Sequence, residues 1–549
     1  MGMFCYQCEQ AAAGQGCTVS GVCGKDPEVA ALQDLLLQLT KEISWLAHQA
    51  RVREARDEAV DAYVAEALFT TVTNVNFDPR RLQSVIAEGI RVRDRGEGLY
   101  RGVSRAAGRE PDPVPHSLPI PDVRDRDALV ALGRTVSPAT RIAADGAERA
   151  GLAELVVYGL KGAAAYAVHA RSLGCEDDRV YAFFHEALAT LLAGGLDRDG
   201  LLSLALRCGE ANLRAMELLD QGHTEAFGDP TPTRVRVTPV RGKAILVSGH
   251  DLQDLYELLR QTKGKGIHVY THGEMLPAHG YPALRAFPHL VGNYGGAWQD
   301  QRREFAAFPG AILMTTNCIQ KPAESYADRM FTSHLVAWPG VRHVEGRDFT
   351  PVIEAALAAP GFADDAPEQK ITVGFGRKTL LDAAGTVLDL IRAGKLRHVF
   401  LIGGCDGAKP GRNYYTEFAT SVPEDCLILT LACGKYRFNK LSFGELAGLP
   451  RLLDVGQCND AYAAIRLAGA LAEAAGCGLN DLPLSLILSW YEQKAVAILL
   501  TLLHLGMRGM RLGPSLPAFL TPEVLAVLGE AFDLAPTGTP REDLAAILG

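Results

Sequence analysis

The chain has 549 residues, 48% of them apolar and 22% charged, with a formal net charge of −9. Those proportions exclude a disordered chain, a collagen and a coiled-coil rod, and the length suits roughly three to four domains at ~150 residues each. A surplus of carboxylates with no run of Lys or Arg repels polyanions, so no nucleic-acid partner is expected.

The opening Met-Gly-Met-Phe-Cys-Tyr-Gln-Cys has neither the basic flank nor the apolar core of a signal peptide. The longest apolar stretch, Ala495 to Leu505, is too short to span a bilayer and suits a buried helix. A cytoplasmic location and no membrane partner are therefore expected. In that reducing compartment the twelve cysteines are expected as thiols or metal ligands rather than disulfides.

Residues 1–230 read as a cysteine loop followed by helical bundles. Pro27 to Arg53 places Leu32, Leu35, Leu36, Leu39, Ile43 and Leu46 at helical spacing, and similar stripes run through Pro79 to Val92, Leu152 to Ser172, Asp178 to Ala193 and Gly200 to Leu219. The proline-rich segment Arg109 to Asp127 reads as a surface connection, and the dipeptides around Asp229 to Pro232 mark a boundary. Beyond it, short β-branched runs alternate with helical patterns, which predicts parallel sheets of βαβ units. The expected strands are Ala244–Ser248, Ile267–Tyr270, Ala311–Thr316, Ile371–Phe375, His398–Ile402, Cys426–Leu431, Arg451–Val455 and Leu484–Ser489. The whole is thus expected as a helical N-terminal domain followed by two α/β Rossmann-like domains, 231–366 and 367–549.

Cys5, Cys8, Cys17 and Cys23 form a C-x2-C-x8-C-x5-C pattern. Four thiolates this close can wrap one tetrahedral ion or the corners of one cluster. The spacing leans toward iron–sulfur, because zinc ribbons usually carry two C-x2-C pairs set farther apart.

The other informative cysteines fall just beyond expected strands: Cys318, Cys405, Cys433 and Cys458. His250, Glu274 and Glu492 occupy equivalent places. Carboxyl ends of parallel strands are where open α/β sheets bind ligands. Soft thiolates suit iron with sulfide, whereas imidazole and carboxylate hold iron less covalently and leave room for substrate. Cys175, Cys208, Cys426 and Cys477 read as ordinary small buried residues.

These residues lie in long segments that resemble a known family. Met-Phe-Cys-Tyr-Gln-Cys-Glu-Gln, Tyr-Thr-His-Gly-Glu-Met-Leu-Pro-Ala-His-Gly-Tyr-Pro, Gly-Gly-Cys-Asp-Gly, Leu-Ala-Cys-Gly-Lys-Tyr-Arg-Phe-Asn-Lys, Gly-Gln-Cys-Asn-Asp-Ala-Tyr and Leu-Ser-Trp-Tyr-Glu-Gln-Lys-Ala resemble the hybrid cluster (prismane) proteins, or hydroxylamine reductases. The likeness covers essentially the whole chain. It implies the prismane/carbon monoxide dehydrogenase-like fold, with a [4Fe–4S] cubane on the N-terminal cysteines, as in the subgroup with tight spacing. It implies a hybrid [4Fe–2O–2S]-type cluster held by His250, Glu274, Cys318, Cys405, Cys433, Cys458 and Glu492, with Lys494 beside it and an extra sulfur, a persulfide, on Cys405.

The implied activity is reduction of hydroxylamine to ammonia and water, with electrons from a ferredoxin-like or NADH-dependent redox partner passing through the cubane. Glu492, Lys494 and His272 are the candidate proton carriers, by proximity in sequence; His272 and His279 have an equal claim to structural roles. Reduction of nitric oxide in nitrosative-stress defence is a rival on the same clusters. Carbon monoxide dehydrogenase would need further N-terminal cluster cysteines. A zinc-stabilised, non-catalytic redox-sensing scaffold is the rival of a different class, and metal identity separates it. The run Gly374 to Thr379 is no phosphate loop, since Thr372 and Arg377 stand where that motif needs glycines.

Overall fold

The computed structural model describes residues 2–549. Its first part is built on the long helices Pro27–Arg51, Pro79–Ala106, Ala147–Ser172, Asp178–Ala193 and Arg198–Phe227. Two of them start on an Asp-Pro pair: Asp26 accepts from Val29 N, Asp78 accepts from Arg80 N, and the following proline fills the first turn. The connection between Arg109 and Asp127 is pinned by Glu42, a carboxylate buried in the first long helix that accepts from Leu118 N at 2.9 Å.

Helix Ala147–Ser172 is long and apolar enough to cross a membrane by length and composition, a feature the sequence reading did not single out. Here 89% of its apolar window is buried inside the fold. Its glycines let backbones meet. A Cβ on Gly162 would lie 2.3 Å from the carbonyl oxygen of Gln493, and one on Gly209, in the neighbouring helix, 2.1 Å from that of Leu500. Both contacts are with helix Gln493–His504, the buried helix expected from the stretch at Ala495 to Leu505. The first turn of that helix, with Glu492 as its N-cap, is thereby wedged against the N-terminal helices.

Two six-stranded sheets follow, parallel throughout. The first runs in spatial order Leu290–Asn293, Ile267–Thr271, Lys243–Ser248, Ala311–Met314, Met330–Ser333, Arg342–Val344. The second runs Leu452–Gly456, Cys426–Leu431, His398–Gly404, Leu484–Ser489, Arg511–Gly513, Ala535–Pro536. Strands at their centres, such as Ala311–Met314 and Cys426–Leu431, are buried at every residue, as sheets covered on both faces require.

The expected strand Ile371–Phe375 belongs to neither sheet. Its observed counterpart, Lys370–Val373, pairs antiparallel with Thr233–Arg236, and the two together form a separate ribbon. The short strands Leu290–Asn293, Met330–Ser333, Arg342–Val344, Arg511–Gly513 and Ala535–Pro536, two to four residues long, were not expected; they are too short to carry a periodic signal.

Candidate metal centres

The N-terminal loop is closed by a pair of backbone hydrogen bonds, Cys5 N to Cys17 O at 3.0 Å and Cys17 N to Cys5 O at 2.8 Å. Gly21 N donates to Lys25 O at 2.7 Å, forming the turn that carries Cys23. Cys8 and Cys17 are buried and Cys5 and Cys23 partly exposed; all four are free thiols. Burial pushes the Cys8 thiol up, and the neighbouring sulfurs of Cys23, Cys5 and Cys17 push it further. Thiolates crowded this way need a polycation among them. Four free thiols on one closed loop can surround a single ion or the corners of one cluster.

All seven strand-end residues line one cavity, together with Lys494, Trp298, Ala432 and Tyr491. His250, Glu274 and Cys318 come from the first sheet, and Cys405, Cys433, Cys458 and Glu492 from the second, so the carboxyl ends of the two sheets converge there. The backbone is turned sharply at these residues. The position before His250, Glu274, Cys405 and Cys433 has φ +109° at Gly249, +58° at Gly273, +112° at Gly404 and +59° at Ala432, and Cys318 itself has φ +75°. For Ala432 and Cys318 that conformation is strained, and such strain is held where a site demands it.

His250, Glu274 and Cys458 bring one ligand atom each to within 4.8 Å of one another. Cys458 N donates to Glu274 Oε2 at 2.9 Å, and Gln457 Nε2 donates to the carbonyls of His250 at 3.0 Å and Glu274 at 2.8 Å. His250 Nδ1 is buried with no hydrogen-bond partner. His250 Nε2 lies 3.5 Å from Glu274 Oε2, so an imidazole, a carboxylate and a thiol converge in a donor set that fits a metal.

Lys494 Nζ lies 2.9 Å from His250 Nε2 and donates to Asn317 Oδ1 at 2.9 Å, with Glu492 Oε1 at 3.6 Å. Burial opposes its charge, but the surrounding groups of Cys458, Glu492, Cys318 and Glu274 outweigh that and hold its pKa above the usual lysine range. The Glu492 carboxyl rises too, but for the opposite reason: burial raises its pKa although Lys494 opposes this. Burial pushes the Cys458 thiol up to about 12, and Cys318, Cys405 and Cys433 rise well above their ordinary value for the same first reason. Thiolates form here only with metal bound.

His272 does not join them. Its Nδ1 is 2.9 Å from Ser248 Oγ and its Nε2 is 3.0 Å from Glu304 Oε2, so both ring nitrogens are engaged, and it does not line the cavity. Its neighbour Glu274 points in and His272 points away. His279 is likewise internal, 3.0 Å from Thr271 Oγ1, with burial lowering its pKa to about 4. The sequence reading gave no role to Asn317, Gln457, Trp298 and Tyr491, although each lies within three residues of a ligand or beside it in space. The rings of Trp298 and Tyr491 pack at 4.4 Å and close one wall.

Comparison with known proteins agrees with this architecture. The chain is 55% identical over 547 residues to a hydroxylamine reductase of Syntrophobacter fumaroxidans, and 54% identical over 552 residues to one of Geobacter sulfurreducens. Each alignment covers 100% of both chains. Among solved structures, carbon monoxide dehydrogenase IV of Carboxydothermus hydrogenoformans superposes with a TM-score of 0.57 at 17% identity, over 99% of this chain and 92% of that one. That likeness concerns the fold. Membership of this fold family, together with two constellations of free cysteines, implies iron–sulfur clusters. Residues 3–545 match the model of the Prismane/CO dehydrogenase family, and the chain belongs to that family.

Proposed function

We propose that this protein reduces hydroxylamine to ammonia and water, with a [4Fe–4S] cluster on Cys5, Cys8, Cys17 and Cys23 relaying electrons to a hybrid iron–sulfur–oxygen cluster on His250, Glu274, Cys318, Cys405, Cys433, Cys458 and Glu492. The observation that carries this reading is the convergence of seven donors of mixed hardness on one buried cavity. The full-length relatives named hydroxylamine reductase support the choice of substrate. When bound, the hybrid cluster would supply electrons and a Lewis-acidic iron for N–O cleavage.

The chain's own residues supply protons and exclude water. Lys494 holds a proton at Nζ within reach of Asn317, Glu492 and His250. Trp298 and Tyr491 cover the site. Cys405 lines both this cavity and the apolar space behind it, which leaves room for the extra sulfur of a persulfide. A ferredoxin-like or NADH-dependent reductase would deliver electrons at the N-terminal loop, where Val19 and Val22 are 79% and 59% exposed. On this reading the protein works in the cytoplasm, with helix Ala147–Ser172 serving the core.

One observation favours nitric oxide as a second substrate. An apolar cavity of about 320 Å³ lies between the second sheet and its helices and reaches Gly404, Cys405 and Cys458. A dry cavity rejects hydroxylamine, which would lose its hydrogen bonds there, but admits a small apolar gas. The test of the main reading is anaerobic turnover with a chemical one-electron donor. One ammonia should form per hydroxylamine, with two electrons consumed; absence of ammonia from protein carrying both clusters would sink it.

A further inference from the structure

Lys25 is buried, 5% exposed, and among the described residues the one hydrogen-bond partner of its ammonium is the sulfur of Cys5, at 3.8 Å. Among the described residues no carboxylate lies within 4.0 Å of it. A buried ammonium without a carboxylate in contact is costly, and here the negative charge in direct contact is that of the Cys5 sulfur. The same polar cavity, beside Cys5 and Gln7, holds Lys161, Asp34, Arg141 and Glu154. Arg141 Nε donates to Glu154 Oε1 at 2.7 Å, so those two charges cancel. Lys161 Nζ donates to Gln7 Oε1 at 3.1 Å and to Thr71 O at 3.4 Å, which fixes a second ammonium behind the loop. Asp34 is then the single unpaired carboxylate opposing Lys25 and Lys161.

We propose that Lys25 sets the reduction potential of the N-terminal cluster, raising it through a fixed positive charge and an N–H···S contact at Cys5, with Asp34 as the opposing charge. The proposal rests on the reading that Cys5, Cys8, Cys17 and Cys23 hold a cubane. Reduction moves one electron from the donor protein to that cubane and adds one negative charge to it. A cation against a ligand sulfur stabilises that added charge more than it stabilises the oxidised form, and potentials of such clusters follow net charge and hydrogen bonds to sulfur. The position suits this role: Lys25 is held in the turn that carries Cys23, with its own carbonyl accepting from Gly21 N at 2.7 Å, so its stem is short of freedom and its charge is fixed in place.

The experiment is a redox titration of the anaerobically purified full-length protein, followed by the spectrum of the reduced cubane, on the unmodified chain and on Lys25→Met, Lys25→Arg and Asp34→Asn. Lys25→Met should lower the midpoint enough to cut the reduced-to-oxidised ratio at least tenfold at fixed ambient potential, about 59 mV for a one-electron couple. Asp34→Asn should raise the midpoint, and Lys25→Arg should stay near the unmodified value. A structural role alone would not move the two charge-removing variants in opposite directions. Shifts of one sign in both, or an unchanged midpoint in a Lys25→Met protein that retains its cluster, would overturn the proposal. If Lys25→Met fails to assemble the cluster, Asp34→Asn decides: no upward shift refutes it. Absence of a cubane spectrum from the unmodified protein is a separate outcome, and it removes the reading of the cysteines itself.

Discussion

Glu9 donates its backbone N–H to the carbonyl oxygen of Tyr491 across 2.9 Å. Glu9 follows Cys8 and Tyr491 precedes Glu492, so one peptide hydrogen bond between residues about 480 positions apart joins the two constellations. Arg412 secures this junction. Its Nη2 donates to Glu9 Oε2 at 3.0 Å and to the Trp490 carbonyl at 3.1 Å, and its Nη1 donates to Ser489 Oγ at 2.6 Å.

Arg412 is 1% exposed at the side chain and Glu9 is fully buried. Glu9 also has Lys409 Nζ at 3.4 Å and accepts from Ser515 Oγ at 3.0 Å. Arg412→Met therefore leaves Glu9 partly paired and should lower stability by about 1–3 kcal/mol, less than the cost of a stranded buried charge, read as a fall in the urea midpoint. A change below about 1 kcal/mol, the scale of an exposed pair, would show that the junction is held by other contacts.

Lys494→Met should reduce hydroxylamine turnover by about 10²–10⁴-fold, the usual worth of a positioned acid. Iron content should be unchanged, because Lys494 offers no ligand atom to the cluster. The raised pKa of Lys494 means that its proton is retained through neutral and mildly alkaline pH. Turnover should thus show no alkaline limb from this group below pH 9. Near-normal turnover in the variant would move the proton supply elsewhere.

Glu492→Gln should leave the spectrum of the N-terminal cluster intact and cut turnover at least about 10- to 100-fold, the scale seen when the surroundings of a metal are altered. Glu492 also accepts from Lys494 N at 2.8 Å as a helix cap, which a glutamine oxygen can still do. Folding should accordingly be little affected, and circular dichroism checks this. Loss of both clusters together would contradict the separation of roles.

The strand-end positions of His250, Cys405 and Cys458 were legible because parallel strands deliver ligands at their carboxyl ends whatever their order in the sheet. His272 was misplaced for a physical reason: it follows the strand Ile267–Thr271 directly, yet Ser248 and Glu304 engage both nitrogens of its ring. No local pattern shows Glu304, 32 residues on, as its partner. Asn317 and Gln457 were equally hidden, since an amide that orients ligands is indistinguishable in sequence from one that faces water. The antiparallel ribbon of Lys370–Val373 looked like one more parallel strand because its partner, Thr233–Arg236, carries no apolar run.

Acid should weaken the fold through buried neutral histidines. Burial lowers His279 from 6.5 to about 4. Between those values the unfolded chain takes up a proton that the folded one refuses, so stability present above pH 6.5 is lost as pH falls toward 4. The loss attributable to His279 is up to about 3 kcal/mol. His279→Gln should flatten that part of the stability profile, measured as urea midpoint against pH; an unchanged slope would show that the ring is reached by solvent.

The apolar cavity gives a test that separates the two substrates. Ala468→Phe adds a ring where the cavity wall has only a methyl group. Nitric oxide consumption should slow more than hydroxylamine reduction, because only the gas uses that space. Equal slowing of both would mean that the cavity serves neither specifically.

The measurement that bears most directly on the whole account is the metal and acid-labile sulfide content of anaerobically purified protein. Roughly eight irons per chain with abundant sulfide and no zinc is the expected result, four for each constellation. About one zinc with little iron would make the N-terminal loop a structural site and would contradict the catalytic reading of the strand-end residues.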